Sequence, residues 1–167
     1  MKEIIVKDAA LRKAAEGGMD AFIQVFTDAI YDSIGELTTE TLSLLNSDQV
    51  TLLAYQILRD EVMDGGFVQL IHNGYGPFFF QNPFARAVKL WGLRDLSKLV
   101  YSVKDLYRKN HVTIEKDCTG EEFMALFEQF PEFDNYDDEF VENEEQWTET
   151  VAQYVDDHLD RFATILE

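Results

Sequence analysis

Carboxylates are the side chains this protein supplies most freely for chemistry, and they are concentrated at one end. From Thr113 to Glu167 there are 18 Asp/Glu against only Lys116 and Arg161, a net of −16, while the preceding 112 residues hold 14 acids and 12 Lys/Arg and complete the overall −18. Crowded acids can hold a metal ion, act as general acid and base, or face a cationic surface. A metal needs a defined donor set, and His72, His111 and His158 all lack a Glu three residues earlier, so the Glu-x-x-His spacing of di-iron bundles is absent. No H-E-x-x-H occurs, and Cys118 is the single cysteine, which leaves no zinc set. Asp134, Asp138 and Glu145 sit at the first, fifth and twelfth positions of a calcium-loop spacing, but Tyr136 takes the third and Glu139 the sixth, where glycine makes the turn.

Catalysis is equally unsupported. Acid pairs are so numerous that none stands out as general acid and base. Gly74-Tyr75-Gly76 is no phosphate loop, because the bulky Pro77–Phe80 that follows blocks close backbone approach. A hydrolase or metal protein would need Glu61, Asp64 and His72 gathered in one pocket. The expectation is therefore no enzyme, no metal and no cofactor. A carboxylate field this lopsided costs folding free energy through self-repulsion, which points to a surface that meets something cationic.

The acids must be positioned by a folded scaffold. The chain is 46% hydrophobic and 13% aromatic, too apolar for a disordered acidic tail, and Phe123, Phe127, Phe130, Phe133, Phe140 and Phe162 continue the apolar pattern through the acidic third. At 167 residues it reads as a single domain, near-neutral over 1–112 and strongly acidic over 113–167. A pI near 4.3 argues against direct contact with nucleic acid or an anionic membrane surface. One cysteine fits a reducing compartment, MKEIIVKDAALRK lacks a signal-peptide apolar run, and no stretch reaches transmembrane length, so the expected location is the cytoplasm.

Helical periodicity dominates, and the class is all-α, with only Glu3–Lys7 strand-like. Asp8 is placed to cap a helix to Glu16 ended by Gly17-Gly18. Phe22, Ile23, Phe26, Ile30 and Ile34 mark an amphipathic helix, and a short one spans Thr39–Leu45. Asn46–Gln49 caps a long helix with Leu52, Leu53, Ile57, Leu58 and Val62 inward, interrupted at Gly65-Gly66 and resumed over Phe67–Asn73. Gly74–Pro77 reads as loop, leaving Tyr75 and Phe78–Phe80 as a dense aromatic cluster. Helices follow from Pro83 to Gly92, from Leu93 to about Lys109 with Leu96, Leu99, Val103 and Leu106/Tyr107 inward, and from the Thr119/Glu122 capping box to Gln129. Pro131 stops the last of these, and a short helix or loop spans Asp134–Asn143. A final helix over Glu144–Ile165 buries Trp147, Val151, Val155, Leu159, Phe162 and Leu166, with Trp91 also in the core. Its opposite face carries Glu145, Glu149, Asp156, Asp160 and Glu167, the first four spaced about 6, 10 and 6 Å along the axis, close to every second or third phosphate of a duplex strand.

One segment, Glu61-Val62-Met63-Asp64-Gly65-Gly66-Phe67-Val68-Gln69-Leu70-Ile71-His72-Asn73-Gly74, has a distinctive pattern. In structural terms a glycine takes positive φ, Phe67 plugs the corner, Gln69 and Asn73 satisfy helix-end backbone groups, and Glu61 or Asp64 accepts N–H groups of the second helix. The segment resembles the E-V-x-N-G-G-F-x-Q signature of the bacterial DNA-mimic protein family, with Asp64 where that family usually has Asn and Gly74-Tyr75-Gly76 in place of a more polar loop. The resemblance implies an all-helical domain, often a homodimer, whose carboxylates imitate DNA phosphates and occupy the DNA-binding face of a transcription regulator. The expected partner is a DNA-binding protein, either a basic regulator or a histone-like protein. The residues expected to meet it are Asp137, Asp138, Glu139, Glu142, Glu144, Glu145, Glu149, Asp156 and Asp160. The signature residues Glu61, Gly65, Gly66, Phe67, Gln69 and Asn73 are expected to be structural. The competing expectation is a general interaction or scaffold domain anchored by an exposed Tyr75–Phe80 loop, its acidity serving solubility.

Overall fold

The chain ends are tied together by a short parallel pair of strands, β1 (Ile5–Lys7) and β2 (Thr164–Leu166), in the register Ile5↔Thr164, Val6↔Ile165 and Lys7↔Leu166. The rest of this computed structural model, which describes residues 1–167, is helix joined by turns and short irregular segments. The helices are α1 (Asp8–Glu16), α2 (Met19–Ile34), α3 (Thr39–Leu42), α4 (Ser47–His72), α5 (Gly76–Phe80), α6 (Phe84–Leu90), α7 (Arg94–Ile114), α8 (Gly120–Gln129), α9 (Asp134–Asp157) and α10 (Leu159–Phe162). The fold is all-α, and no helix is long and apolar enough to cross a membrane.

Tertiary contacts gather the chain into two units. The first comprises residues 1–56 and 146–167, the second residues 57–145. The charge boundary near residue 112 does not follow this division. The first unit is organised around α2, whose Ile23, Phe26 and Ile30 are buried with Leu52, Leu53, Val151, Val155 and Phe162. Phe162 packs edge-on against Phe26 at 6.2 Å and Tyr154 at 6.3 Å between ring centres. The start of α4 is closed by a reciprocal cap: Gln49 N–H donates to Asn46 Oδ1 at 2.9 Å, and Asn46 N–H donates to Gln49 Oε1 at 3.0 Å. The same two side chains reach the far end of the chain, Asn46 Nδ2 donating to the Arg161 carbonyl at 2.8 Å and Gln49 Nε2 to the Phe162 carbonyl at 2.9 Å. Tyr55 and Thr148 share a buried hydroxyl–hydroxyl bond of 2.7 Å.

In the second unit, Val62, Phe67, Leu70 and Ile71 of α4 are buried with Leu96, Leu99, Val103 and Tyr107 of α7 and with Phe133 and Phe140. The Thr119/Glu122 box caps α8 as expected, with Thr119 N–H donating to Glu122 at 2.9 Å and Glu122 N–H to Thr119 at 3.3 Å. Trp91 and Trp147 are buried, one in each unit.

Four local expectations are corrected. Asp8 does not cap α1, because Lys7 holds the cap position without a side-chain bond and Asp8 pairs with Arg12 at 2.6 Å. Gly74 and Tyr75 lie between helices as expected, but the residues that follow are not a loop, since α5 occupies Gly76–Phe80, with Gly76 pressed so closely against the Tyr107 ring that a Cβ would collide with it. The acidic stretch from Asp134 is neither loop nor separate helix but the opening of α9, where Asp134 and Asp137 in the first turn complement the helix dipole. That helix stops at Asp157 rather than Ile165. His158 departs from helical geometry (φ −136°, ψ 39°) and Ala163 is extended, which lets Thr164 N–H donate to the Ile4 carbonyl at 2.7 Å. A three-residue strand is too short to show alternation, and Leu159, Phe162 and Leu166 mimic a helical stripe.

Because Phe162 is fully buried, Phe162→Ala is expected to cost the fold about 3–5 kcal/mol, measured by urea unfolding. A loss below about 1 kcal/mol would show that this end of the chain contributes little to the first unit.

Candidate functional site

The signature segment is where α4 breaks. Gly65 (φ −145°, ψ 15°) and Gly66 (φ 73°, ψ −175°) are non-helical, so the chain leaves one helix and enters another at Phe67. At Gly66 both the positive φ and space demand glycine, since a Cβ there would overlap the Asp137 carboxylate. Phe67 is fully buried, and its N–H opens the new helix with no carbonyl of a preceding turn to receive it. Asp137 Oδ1 accepts that N–H at 2.8 Å. Neither Glu61 nor Asp64, the acceptors expected from sequence, plays this part.

Those two acids instead hold the signature amides. Glu61 Oε2 accepts from Asn73 Nδ2 at 2.8 Å and from Gln69 Nε2 at 3.1 Å, while Asp64 Oδ2 accepts from Gln69 Nε2 at 2.9 Å. Gln69 and Asn73 thus strap the second half of α4 to the first by side-chain bonds, not by capping backbone groups. His72 continues the inward wiring. Its Nδ1 lies 2.8 Å from the Ile114 carbonyl, its Nε2 3.9 Å from Cys118 Sγ, and its ring 4.7 Å from that of Phe123.

The nine acids expected on the surface divide into two sets. Asp138, Glu139, Glu142, Glu145, Glu149, Asp156 and Asp160 are exposed. Asp137 is turned to Phe67, and Glu144 is only 7% exposed and receives Arg59 Nε at 2.5 Å. The signal that could have found this pair is the uninterrupted helix from Asp134: at 100° per residue Asp137 and Glu144 fall on the stripe of Phe140, Trp147 and Val151. Splitting the segment at Asn143 hid it.

The exposed acids also regroup. In the second unit, Asp138, Glu142 and Glu145 lie on one line of α9, separated by about 6 and 4.5 Å along the axis. In the first unit, Glu149 and Asp156 share a face of α9, but Asp160 belongs to α10, beyond the break at His158, so it does not continue that row at helical spacing. The aromatic cluster offers no comparable surface. Phe79 and Phe80 are buried and Tyr75 and Phe78 half-buried, with Phe80 stacked on Tyr107 at 4.8 Å.

Residues 43–158 match the family described as DMP19-like protein. The chain is also 34% identical over 146 residues to the DNA mimic protein DMP19 of Neisseria meningitidis serogroup B, a match covering 87% of this chain and 88% of that protein. The chain belongs to the DMP19-like family. The segment matched to the DMP19-like family contains the Gly65-Gly66 break, the Asp137 cap, the Arg59–Glu144 pair and α9, and leaves out β1, α1, α2, α3, α10 and β2.

Burial, with smaller contributions from Asp134 and Asp138, pushes the Asp137 carboxyl up to about 6 from 3.8, while the Phe67 N–H pulls it the other way. A carboxyl raised in the folded state stabilises folding below its unfolded value, and that contribution is lost as pH rises through about 6. Asp137→Asn keeps an acceptor for Phe67 and removes the titration. Urea unfolding between pH 4 and 7 should therefore show wild type losing stability relative to this variant as pH rises, and parallel curves would contradict the assignment. At any pH in this range, Asp137→Ala should be about 1–3 kcal/mol less stable than Asp137→Asn, because it orphans the buried N–H.

Proposed function

We propose that this protein is a non-enzymatic DNA mimic. Its exposed carboxylates take the place of phosphates on the DNA-binding face of a DNA-binding protein, a basic transcription regulator or a histone-like protein, and so compete with DNA for it. The observation that carries this reading is the outward row Asp138, Glu142 and Glu145, exposed and without a hydrogen bond or ion pair in the chain. Glu149 and Asp156 of the first unit are also exposed and unpaired. A solvated face can be that bare too. What favours mimicry over a merely solvated face is kinship with a protein named as a DNA mimic, over a match that includes the helix carrying this row. Association would be steered by long-range attraction and would weaken as salt rises.

Each rim carboxylate contributes about 0.2–1 kcal/mol, so single reversals should be mild and the triple change Asp138→Lys, Glu142→Lys, Glu145→Lys severe. The test is capture of purified basic regulators and histone-like proteins on the immobilised protein, with duplex DNA as competitor. Mimicry expects duplex DNA to displace the captured protein and the triple variant to lose it. Capture that duplex DNA cannot displace would sink the reading.

A further inference from the structure

An open groove of about 320 Å³ lies within the first unit, between the turn from α1 to α2 and the last turns of α9. Ala15, Met19, Phe22 and Ala152 give it apolar walls, and Glu149 and Asp156 line it as well. Met19 is 45% exposed, a long apolar side chain left largely in water, and Phe22 is half-buried with its ring 5.5 Å from that of Phe26. Neither carboxylate has a bonding partner in the chain.

Two chemistries meet here, and together they narrow the occupant. A wholly apolar ligand would strip water from two carboxylates without compensation. A bare cation would leave the apolar walls unused. The complementary shape is an apolar stem ending in a positive charge, which is how lysine and arginine side chains lie on proteins. Between these, the guanidinium group is the more weakly hydrated and stacks on aromatic faces such as Phe22. Arginine is also the side chain that DNA-binding proteins use most for specific base contacts, so a protein that competes with DNA must receive it.

We infer that this groove takes an arginine side chain from the DNA-contacting surface of the partner protein, its stem against Met19 and Phe22 and its head beside Glu149 and Asp156. The inference rests on the mimicry reading for the source of the arginine, and adds to it a shaped anchor. Rim charges steer and each contributes little, whereas a side chain seated in a groove is the kind of contact that dominates an interface.

The probe is N-acetyl-arginine methylamide, with the citrulline analogue as its neutral isostere. The protein is labelled with ¹³C at its four methionine methyls, and Met19→Leu assigns the Met19 signal. The arginine compound should shift the Met19 methyl saturably, the citrulline compound roughly tenfold more weakly, and neither should move Met63 or Met124. Ala15 is exposed on α1, so Ala15→Leu narrows the groove without altering charge or core, and should abolish the shift. Equal response to the two compounds, or a response that survives Ala15→Leu, overturns the inference. With the captured partner, Ala15→Leu should lower affinity while leaving the salt dependence intact. Unchanged affinity there removes the anchor but leaves mimicry standing. A Met19 response in a protein that captures nothing displaceable by duplex DNA keeps the arginine groove and removes mimicry.

Discussion

The peptide N–H of Phe67 is the group around which the second unit is arranged. It begins a helix immediately after the Gly65-Gly66 break, beside a fully buried ring, where an unpaired donor would cost about 1–3 kcal/mol. The acceptor arrives from 70 residues away, on the first turn of α9, as Asp137. Once that bond is made the rotation of α9 about its own axis follows. Phe140 meets Phe67 edge-on, with ring centres 6.4 Å apart, and Glu144 comes round to Arg59. Asp138, Glu142 and Glu145 are left on the outside. The direction of the acidic row is thus a consequence of how one backbone donor is satisfied.

The two units handle buried polarity differently. The second takes charge inside: Asp137, its carboxyl raised by burial, and Glu144, held by Arg59. Buried ion pairs of this kind stabilise little in net terms but are expensive to break from one side, so they specify an arrangement more than they strengthen it. The first unit uses neutral groups, the Tyr55–Thr148 hydroxyl pair and the Gln49 amide on the Phe162 carbonyl. In a chain with a net charge of −18, the Arg59 pairing also offsets the charge of Glu144, whereas Asp137 still feels its neighbours Asp134 and Asp138.

On the proposed reading, each unit presents its own anionic feature. The row on α9 in the second unit is exposed, and its proposed part is steering and partial imitation of a phosphate strand. The groove of the first unit combines carboxylates with exposed apolar walls, and can supply the short-range contact that a field of rim charges lacks. A DNA mimic needs both properties if it is to compete with real DNA, which offers charge along its backbone and shaped base edges in its grooves.

Local chemistry determined a good deal of this protein directly from its sequence. The amphipathic stripe of α2, the Asn46/Gln49 and Thr119/Glu122 caps and the positive φ at the Gly65-Gly66 break all depend on residues within one or two turns of each other. The count of carboxylates and the concentration of net negative charge in the last third were equally plain. What the sequence alone left open was which way each carboxylate faces. Asp137 and Glu144 share the stripe of Phe140 and Trp147 once the helix is taken as continuous, but the donors that meet them, 70 and 85 residues distant, cannot be read along the chain. The closing strand was hidden for the same reason, since Thr164–Leu166 becomes extended only because Ile4 and Val6 lie alongside it. Periodicity and capping are short-range and can be read along the chain, whereas the satisfaction of a buried donor is a long-range bargain that only the tertiary structure strikes.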